Sequence, residues 1–243
     1  MVKISAQHVI KEFELGDWIV RALDDISLEV HEREFLVIKG PSGAGKTTLL
    51  NLLGGLETPT KGEIFYNNVK ITTMSEESLT IFRCLNVGFI FQNFNLISFL
   101  NAIENVMFPM ELAGYISSER AVRAQNLLER VNLKERNDHL PFQLSAGEQQ
   151  RVAIARALAN NPPVIIADEP TANLDVKTAE FIGKLFACLK QEGKTIIAAT
   201  HDEVITSQAD RILYMVDGKI IEEKILRDTS QLLPEPLRDL PGG

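Results

Sequence analysis

The feature that most constrains the fold is a glycine-rich stretch of eight residues, Gly40 to Thr47. It matches the pattern G-x-x-x-x-G-K-[ST] in full, between an apolar, β-branched run at 35–38 and a second apolar run at 49–53. Glycines let the backbone curl so that successive N–H groups point at phosphate oxygens, and a helix beginning near Lys46 adds its positive end. The stretch predicts a strand, a phosphate-binding loop and a helix. The alternative is a glycine-rich turn without a ligand.

The side chains of this loop have predicted roles at a nucleotide. Lys46 is expected to reach the β- and γ-phosphates, and the Thr47 hydroxyl to ligate Mg²⁺. The predicted nucleotide-binding residues of the stretch are Gly40, Pro41, Ser42, Gly43, Ala44, Gly45, Lys46, Thr47 and Thr48.

An apolar run at 164–167 ends in two acids, Asp168 and Glu169. Ligands of parallel sheets bind at the carboxyl ends of the strands. Asp168 is therefore predicted to hold Mg²⁺, and Glu169 to polarise an attacking water as a general base. The alternative is that the two acids open a turn and cap the next helix.

Strand and helix patterns alternate along the chain. Runs at 35–38, 164–167 and 195–199 have strand character, and segments at 121–131 and 148–158 have helical spacing. Such alternation predicts an α/β protein with a parallel sheet covered on both faces.

The two ends of the chain differ from this core. Strands at 4–13, 22–30 and 63–71, the last with a turn at Asn67-Asn68, predict a small antiparallel sheet. Asp217-Gly218 between apolar runs predicts a hairpin. One domain is expected: a core with a β subdomain at 1–91 and 156–221, a strand-poor helical subdomain at 92–155, and a loose tail at 222–243.

The composition limits which cellular compartment and which binding partners we expect for this chain. The net charge of −8 disfavours direct binding to nucleic acid or to bare anionic lipid. Cys84 and Cys188 match no metal motif and are interpreted as reduced thiols of a cytosolic protein. No apolar run approaches the roughly 18 residues of a membrane-spanning helix, and residues 1–7 lack a signal-peptide layout.

Residues 144–151, Leu-Ser-Ala-Gly-Glu-Gln-Gln-Arg, open a helical run shortly before the two-acid strand. By itself this stretch also fits a capping box, with Ser145 as the cap and Glu148 as its partner. In its position it resembles the L-S-G-G-Q signature of the ATP-binding cassettes of ABC transporters. Two departures stand out: Ala146 adds a methyl where a glycine is usual, and Glu148 puts a negative charge near a triphosphate, which we expect to slow turnover.

The resemblance spans residues 13–221 and implies further site residues. Gln92 resembles the glutamine of the family that contacts Mg²⁺ or the attacking water, and His201 resembles the switch histidine that senses the γ-phosphate. Asp175 resembles the D-loop aspartate near the dimer seam, and Phe13 sits where the family has its adenine-stacking aromatic. The plainer alternatives are a surface amide, a surface or core histidine, a helix cap and a core phenylalanine.

The fold implied by the resemblance is a P-loop NTPase cassette with a RecA-like parallel core, an added antiparallel β subdomain and a helical subdomain. Two copies would pack head to tail around two Mg-ATP, each site taking Ser145 and Gly147 from the other copy. The implied membrane partner is a separate permease, docked near 94–110 on the cytoplasmic face. The stretches 88–96 and 157–163 are most similar to the lipoprotein-release and macrolide-export type.

Two other functions use the same phosphate loop. Soluble ABC ATPases that act on nucleic acid or ribosomes usually carry two cassettes or a long coiled-coil insertion, and this chain has neither. A small-molecule phosphotransferase would leave residues 144–151 and His201 without a role. The favoured hypothesis is an ATP-hydrolysing transport subunit.

Overall fold

The computed structural model describes residues 2–227 and contains two β-sheets. The smaller sheet is antiparallel, with the strand order β2-β1-β4-β5. Its strands are β1 (Val2–Leu15), β2 (Trp18–His31), β4 (Lys61–Tyr66) and β5 (Val69–Lys70). Asn67 begins the predicted turn between β4 and β5 and has a positive φ of 51°. The antiparallel sheet predicted from the amino-terminal region is therefore present.

The larger sheet has six strands in the order β10-β9-β3-β8-β7-β6. Every neighbouring pair is parallel except β9 with β10, which form the hairpin predicted at Asp217-Gly218. The strands are β3 (Phe35–Lys39), β6 (Val87–Ile90), β7 (Val164–Asp168), β8 (Thr195–Ala199), β9 (Arg211–Val216) and β10 (Lys219–Ile225). The predicted α/β fold class with a parallel core is confirmed.

The central strands of the larger sheet, β3, β7 and β8, are buried on both faces, and their residues alternate between two apolar clusters, whereas β10 at the edge is exposed. On β3, Phe35 and Val37 pack with helices between residues 102 and 189, whereas Leu36 and Ile38 pack with helix α1 (Lys46–Leu53) and the smaller sheet. This alternation follows from the two-residue period of a strand. Continuous apolar strands such as 35–38 are therefore what a sheet covered on both faces requires.

The helices cover these two faces. They are α1 (Lys46–Leu53), α2 (Glu76–Asn86), α3 (Ala102–Leu112), α4 (Ser117–Arg130), α5 (Ala146–Ala157), α6 (Val176–Gln191) and α7 (Glu203–Thr206). Between 92 and 155 the regular elements are helices only, as predicted, but α3, α4 and α5 share one apolar cluster with the sheet. The proposed division into subdomains stays a prediction.

Two details differ from the sequence prediction. Helix α2 was not predicted; Leu79 is its one buried residue, and Ile81 and Leu85 remain exposed. The loose tail predicted from 222 begins too early, since β10 runs to Ile225 and pairs with β9. The remainder of the predicted tail, from 228 onward, lies outside the described residues.

Candidate nucleotide-binding site

The glycine-rich loop joins the end of β3 to the start of α1. Gly40, Gly43 and Gly45 have positive φ angles of 154°, 80° and 94°. A Cβ at Gly40 would lie 2.1 Å from the Met215 carbonyl oxygen, and one at Gly45 would lie 2.4 Å from that of Ala22. Glycine is therefore required at both positions by backbone conformation and by space.

The Lys46 side chain folds back over this loop. Its Nζ donates hydrogen bonds to the carbonyl oxygens of Gly40 at 2.6 Å and Pro41 at 3.1 Å. Ala44 is buried, whereas Pro41 and Ser42 are exposed and Thr48 is half-buried on α1. The ammonium is thus held against the backbone at the start of the loop.

Thr47 and Asp168 meet beside the loop. The Thr47 hydroxyl donates to Asp168 Oδ2 at 2.7 Å, although the two residues are 121 positions apart in sequence. Burial raises the pKa of Asp168 above its ordinary value, while the Thr47 hydrogen bond and the Lys46 charge act in the opposite direction. A hydroxyl beside a carboxylate is a pair of oxygen ligands suited to Mg²⁺.

Glu169 and His201 lie next to each other at the same edge of the sheet. Glu169 has a φ of 44°, and its N–H donates to the Ala199 carbonyl oxygen at 2.8 Å. The distance between Glu169 Oε1 and His201 Nε2 is 3.6 Å. A left-handed non-glycine residue costs about 1–2 kcal/mol, and such strain is concentrated at functional sites.

Gln92 follows the carboxyl end of β6 and is exposed. Because β6, β7, β8 and β3 are parallel, their carboxyl ends open on one edge of the sheet. That edge carries the residues following each strand, namely Gln92, the Asp168-Glu169 pair, His201 and the glycine-rich loop.

The stretch at 144–151 caps helix α5. Ser145 Oγ accepts the Glu148 N–H at 3.3 Å, and the Glu148 carboxylate accepts the Ser145 N–H at 2.8 Å. The other Glu148 oxygen pairs with Arg136 Nε at 3.0 Å. The hydrogen bond from the Ser145 backbone and the Arg136 charge lower the pKa of Glu148, against the effect of burial. Glu148, whose charge we expected to slow turnover, thus already has two partners, the Ser145 N–H and Arg136.

Asp175 caps helix α6 in a similar way. Its carboxylate accepts the Thr178 N–H at 3.0 Å and the Thr178 hydroxyl at 2.7 Å, which lower its pKa. A cavity of about 390 Å³ lies between the two caps. It is lined by residues of 145–151 and 173–178, so Ser145, Gly147 and Asp175 share one surface.

Comparison with known proteins identifies the chain. Residues 23–172 match the family model described as "ABC transporter". This chain belongs to the ABC transporter family. It is an ATP-binding cassette with ATPase activity, as its phosphate loop and signature stretch predicted.

The cassette is similar to several known relatives. It is 49% identical over 90% of its length to an ABC transporter ATP-binding protein, MJ1508, of Methanocaldococcus jannaschii, and covers 98% of that protein. It is 42% identical to a macrolide export ATP-binding/permease protein, MacB, of Bradyrhizobium diazoefficiens, across 91% of this chain and 34% of that protein. These relatives agree with the predicted lipoprotein-release and macrolide-export type.

A solved structure supports the same assignment. The structure described as a dimeric post-hydrolysis state of the cassette MJ0796, bound to ADP and Pi, matches with a TM-score of 0.89. The identity is 43%, and the match covers 92% of this chain and 99% of the other. Across residues 2–227 of the present cassette, none of the helices combines the length and apolar character needed to cross a membrane.

Phe13 lies in the smaller sheet, on β1, opposite Val20 of β2. It is half-buried, and the Lys11 ammonium lies 4.9 Å from its ring centroid while pairing with Glu57. A cation over an aromatic face contributes about 0.5–1 kcal/mol at an exposed site. The adenine-stacking role of Phe13 stays a prediction. The structure shows in addition that the Lys11 ammonium lies over its ring.

Sequence reasoning found the β9–β10 hairpin of the cassette but not its contact with the phosphate loop. The Gly218 N–H donates to the Ala44 carbonyl oxygen at 3.1 Å. A Cβ at Gly218 would lie 2.8 Å from the Ala22 carbonyl oxygen. The hairpin thus supports the phosphate loop from a distant part of the sequence, and no local pattern indicates this.

Proposed function

We propose that the phosphate loop, Asp168, Glu169, Gln92 and His201 form one half of a Mg-ATP hydrolysis site. The observation that carries this proposal is the convergence of the loop with the 2.7 Å Thr47–Asp168 hydrogen bond at the carboxyl edge of the sheet. The positive φ angles of Gly40, Gly43 and Gly45 also let the backbone curl so that its N–H groups can face a phosphate.

The chemistry follows from these positions. Lys46 exchanges the Gly40 and Pro41 carbonyl oxygens for phosphate oxygens when ATP enters. Thr47, Asp168 and Gln92 would hold Mg²⁺, which neutralises charge on the phosphate oxygens when bound. Glu169 accepts a proton from the attacking water, and His201 at 3.6 Å from it is placed to orient that carboxylate and the terminal phosphate.

The surface around Ser145 and Asp175 would complete the site of a second copy. Its cavity is lined by 145–151 and 173–178, whereas the phosphate loop lies at the sheet edge. The amino end of α5 has positive partial charge, and Ser145 and Ala146 there are exposed, which suits the terminal phosphate of ATP held by a partner. A head-to-tail dimer with two ATP molecules therefore accounts for both surfaces.

A membrane permease is the proposed partner of the dimer. Phe99, Leu112 and Ile116 are 79%, 66% and 61% exposed and belong to the helical segment that follows Gln92. Phe99 lies before helix α3, whereas Leu112 and Ile116 lie at and beyond its other end, so large apolar side chains are exposed at both ends of this helix and are candidates for contact with a partner. The MacB relative is described as an ATP-binding/permease protein, and this chain spans about a third of its length. In this proposal the cassette binds such a permease at the cytoplasmic face of a membrane. ATP hydrolysis then drives export, lipoprotein release or mechanotransmission.

A pull-down from detergent-solubilised membranes tests this function. Tagged Glu169→Gln protein with Mg-ATP should retain nucleotide and recover a multi-span membrane protein in stoichiometric amount. Tagged Lys46→Ala protein, which we expect not to hold ATP in a closed dimer, is the matched control. Recovery of only soluble or nucleic-acid-bound material would move the function to a soluble ABC ATPase and leave the hydrolytic chemistry standing.

A further inference from the structure

The backbone just after Gln92 is strained. Phe94 and Asn95 are consecutive non-glycine residues with positive φ angles of 61° and 48°. The left-handed conformation is unfavourable for an L-residue, although asparagine tolerates it better than most. Two such residues in a row persist only where neighbouring groups hold them in place.

Arg156 of helix α5 provides this restraint. Its Nη2 donates to the Phe94 carbonyl oxygen at 2.8 Å, and its Nη1 donates to the carbonyl oxygen of Asn95. The planar guanidinium fork suits two adjacent acceptors, and hydrogen bonds from a charged donor are stronger than those between neutral groups. Burial lowers the pKa of Arg156 to about 10, so the side chain keeps its charge at neutral pH.

The segment is fixed on both sides of this contact. Upstream, the Phe91 ring stacks on Phe89 with the ring centroids 5.5 Å apart. Downstream, the fully buried Asn105 accepts the Ile97 N–H at 2.8 Å and donates to the Leu100 carbonyl oxygen at 2.8 Å. The backbone around Gln92 is therefore fixed, while the Gln92 side chain remains exposed.

Helix α5 begins at the signature stretch, with Ser145 as its cap. Arg156 lies near the other end of the same helix, so one rigid element contacts both the signature cap and the backbone beside Gln92. We propose that Arg156 is a positioning residue that aims Gln92 at the bound nucleotide and makes Gln92 move together with the signature helix. This inference rests on the proposed role of Gln92 in ATP hydrolysis.

The test compares Arg156→Ala, Arg156→Lys and Gln92→Ala, and the double variant Gln92→Ala/Arg156→Ala. In Arg156→Ala, the affinity for a fluorescent ATP analogue should change by less than about threefold. The kcat should fall by about tenfold or more, which corresponds to about 1.4 kcal/mol of lost transition-state stabilisation. The Mg²⁺ concentration for half-maximal rate should rise as it does in Gln92→Ala. Lysine should rescue the rate only in part, because one ammonium cannot reproduce the guanidinium fork.

The double variant distinguishes positioning from general destabilisation. If Arg156 acts through Gln92, the double variant should be no slower than the slower single variant, whereas multiplied losses would overturn the inference. Arg123→Ala is the matched control, since Arg123 Nε also donates to a backbone carbonyl, that of Ala159 at 2.6 Å, and its kcat should stay within about twofold. Equal losses in this control would also overturn the inference.

A further variant covers the case in which Arg156→Ala does not fold. Phe94→Gly removes the backbone strain at that position, so Phe94→Gly/Arg156→Ala should fold but stay slow; wild-type turnover in it would refute the positioning role. Unimpaired turnover in Gln92→Ala would instead refute the proposed role of Gln92. Impaired Gln92→Ala with normal Arg156 variants would refute this inference alone.

Discussion

Gly45 is the position where one added methyl group should have the largest effect on the phosphate loop. It is the last residue before α1 and has a φ of 94°. A Cβ there would lie 2.4 Å from the Ala22 carbonyl oxygen and 2.9 Å from Leu23 Cδ2. Both contacts are closer than van der Waals separation, and the nearer one is with backbone, which cannot move aside alone.

The expected loss of stability for Gly45→Ala has two parts. The left-handed backbone costs alanine roughly 1–2 kcal/mol. The steric overlap adds roughly 1–3 kcal/mol, as overpacking of a core position does. The free energy of unfolding should therefore fall by roughly 2–5 kcal/mol. Gly16 offers a matched control, with a φ of 62° and nothing within 4 Å of an added Cβ, so Gly16→Ala should lose only the backbone part.

Denaturant unfolding of the two variants measures this difference, and titration with a fluorescent ATP analogue measures its effect on the site. If the loop shifts to relieve the overlap, its N–H groups lose their alignment, and the affinity of Gly45→Ala should fall at least about tenfold, or about 1.4 kcal/mol. Gly16→Ala should bind as the wild type does. A Gly45→Ala protein as stable as Gly16→Ala, or one with wild-type affinity, would refute the reasoning.

Three further changes test separate parts of the site. Lys46→Ala should abolish ATP hydrolysis in a phosphate-release assay. The control Lys39→Ala, which removes a lysine paired with Glu203 at 2.7 Å, should still hydrolyse ATP. Turnover in Lys46→Ala would disprove the assigned phosphate site. Asp168→Asn should lose Mg²⁺-dependent turnover yet raise the free energy of unfolding at pH 7. Burial raises the pKa of Asp168, so folding disfavours its ionised form. The stability gained by the asparagine should therefore shrink as the pH falls and the Asp168 carboxyl group of the wild type protonates. A stability difference that grows at acidic pH would contradict this reasoning. Glu148→Ala should lower the free energy of unfolding by about 1 kcal/mol by removing the reciprocal cap of α5, whereas Glu148→Gln should keep most of it; equal losses in chemical denaturation would contradict the capping role.

The parts of the fold that the sequence predicted are those with local causes. The strand at 35–38, the glycine loop and the start of α1 follow from a contiguous pattern, and so does the hairpin at Asp217-Gly218. Asp217 and Gly218 have φ angles of 47° and 74°, the left-handed pair that this dipeptide favours. Helix α2 was not predicted, and Leu79 is its one buried residue.

The parts that the sequence did not predict depend on contacts between distant residues. Glu148 pairs with Arg136, which lies outside the signature stretch. The expectation that the Glu148 charge slows turnover considered Glu148 alone, without this partner. The hydrogen bond from the Gly218 N–H to the Ala44 carbonyl oxygen likewise joins residues that are far apart in sequence. The motifs therefore predict which residues form the site, whereas the charges and supports around those residues became visible only in the fold.

The most direct test of the central claim is the molar mass of Glu169→Gln protein in solution by light scattering, with Mg-ATP and with ADP. If the nucleotide joins the phosphate loop of one copy to the signature cap of another, the variant should be a dimer with Mg-ATP, at about twice the chain mass of 27.1 kDa, and a monomer with ADP. A Ser145→Arg change in the same background should abolish the dimer without preventing ATP binding. A monomer at saturating Mg-ATP, with binding confirmed in the same sample, would contradict the account.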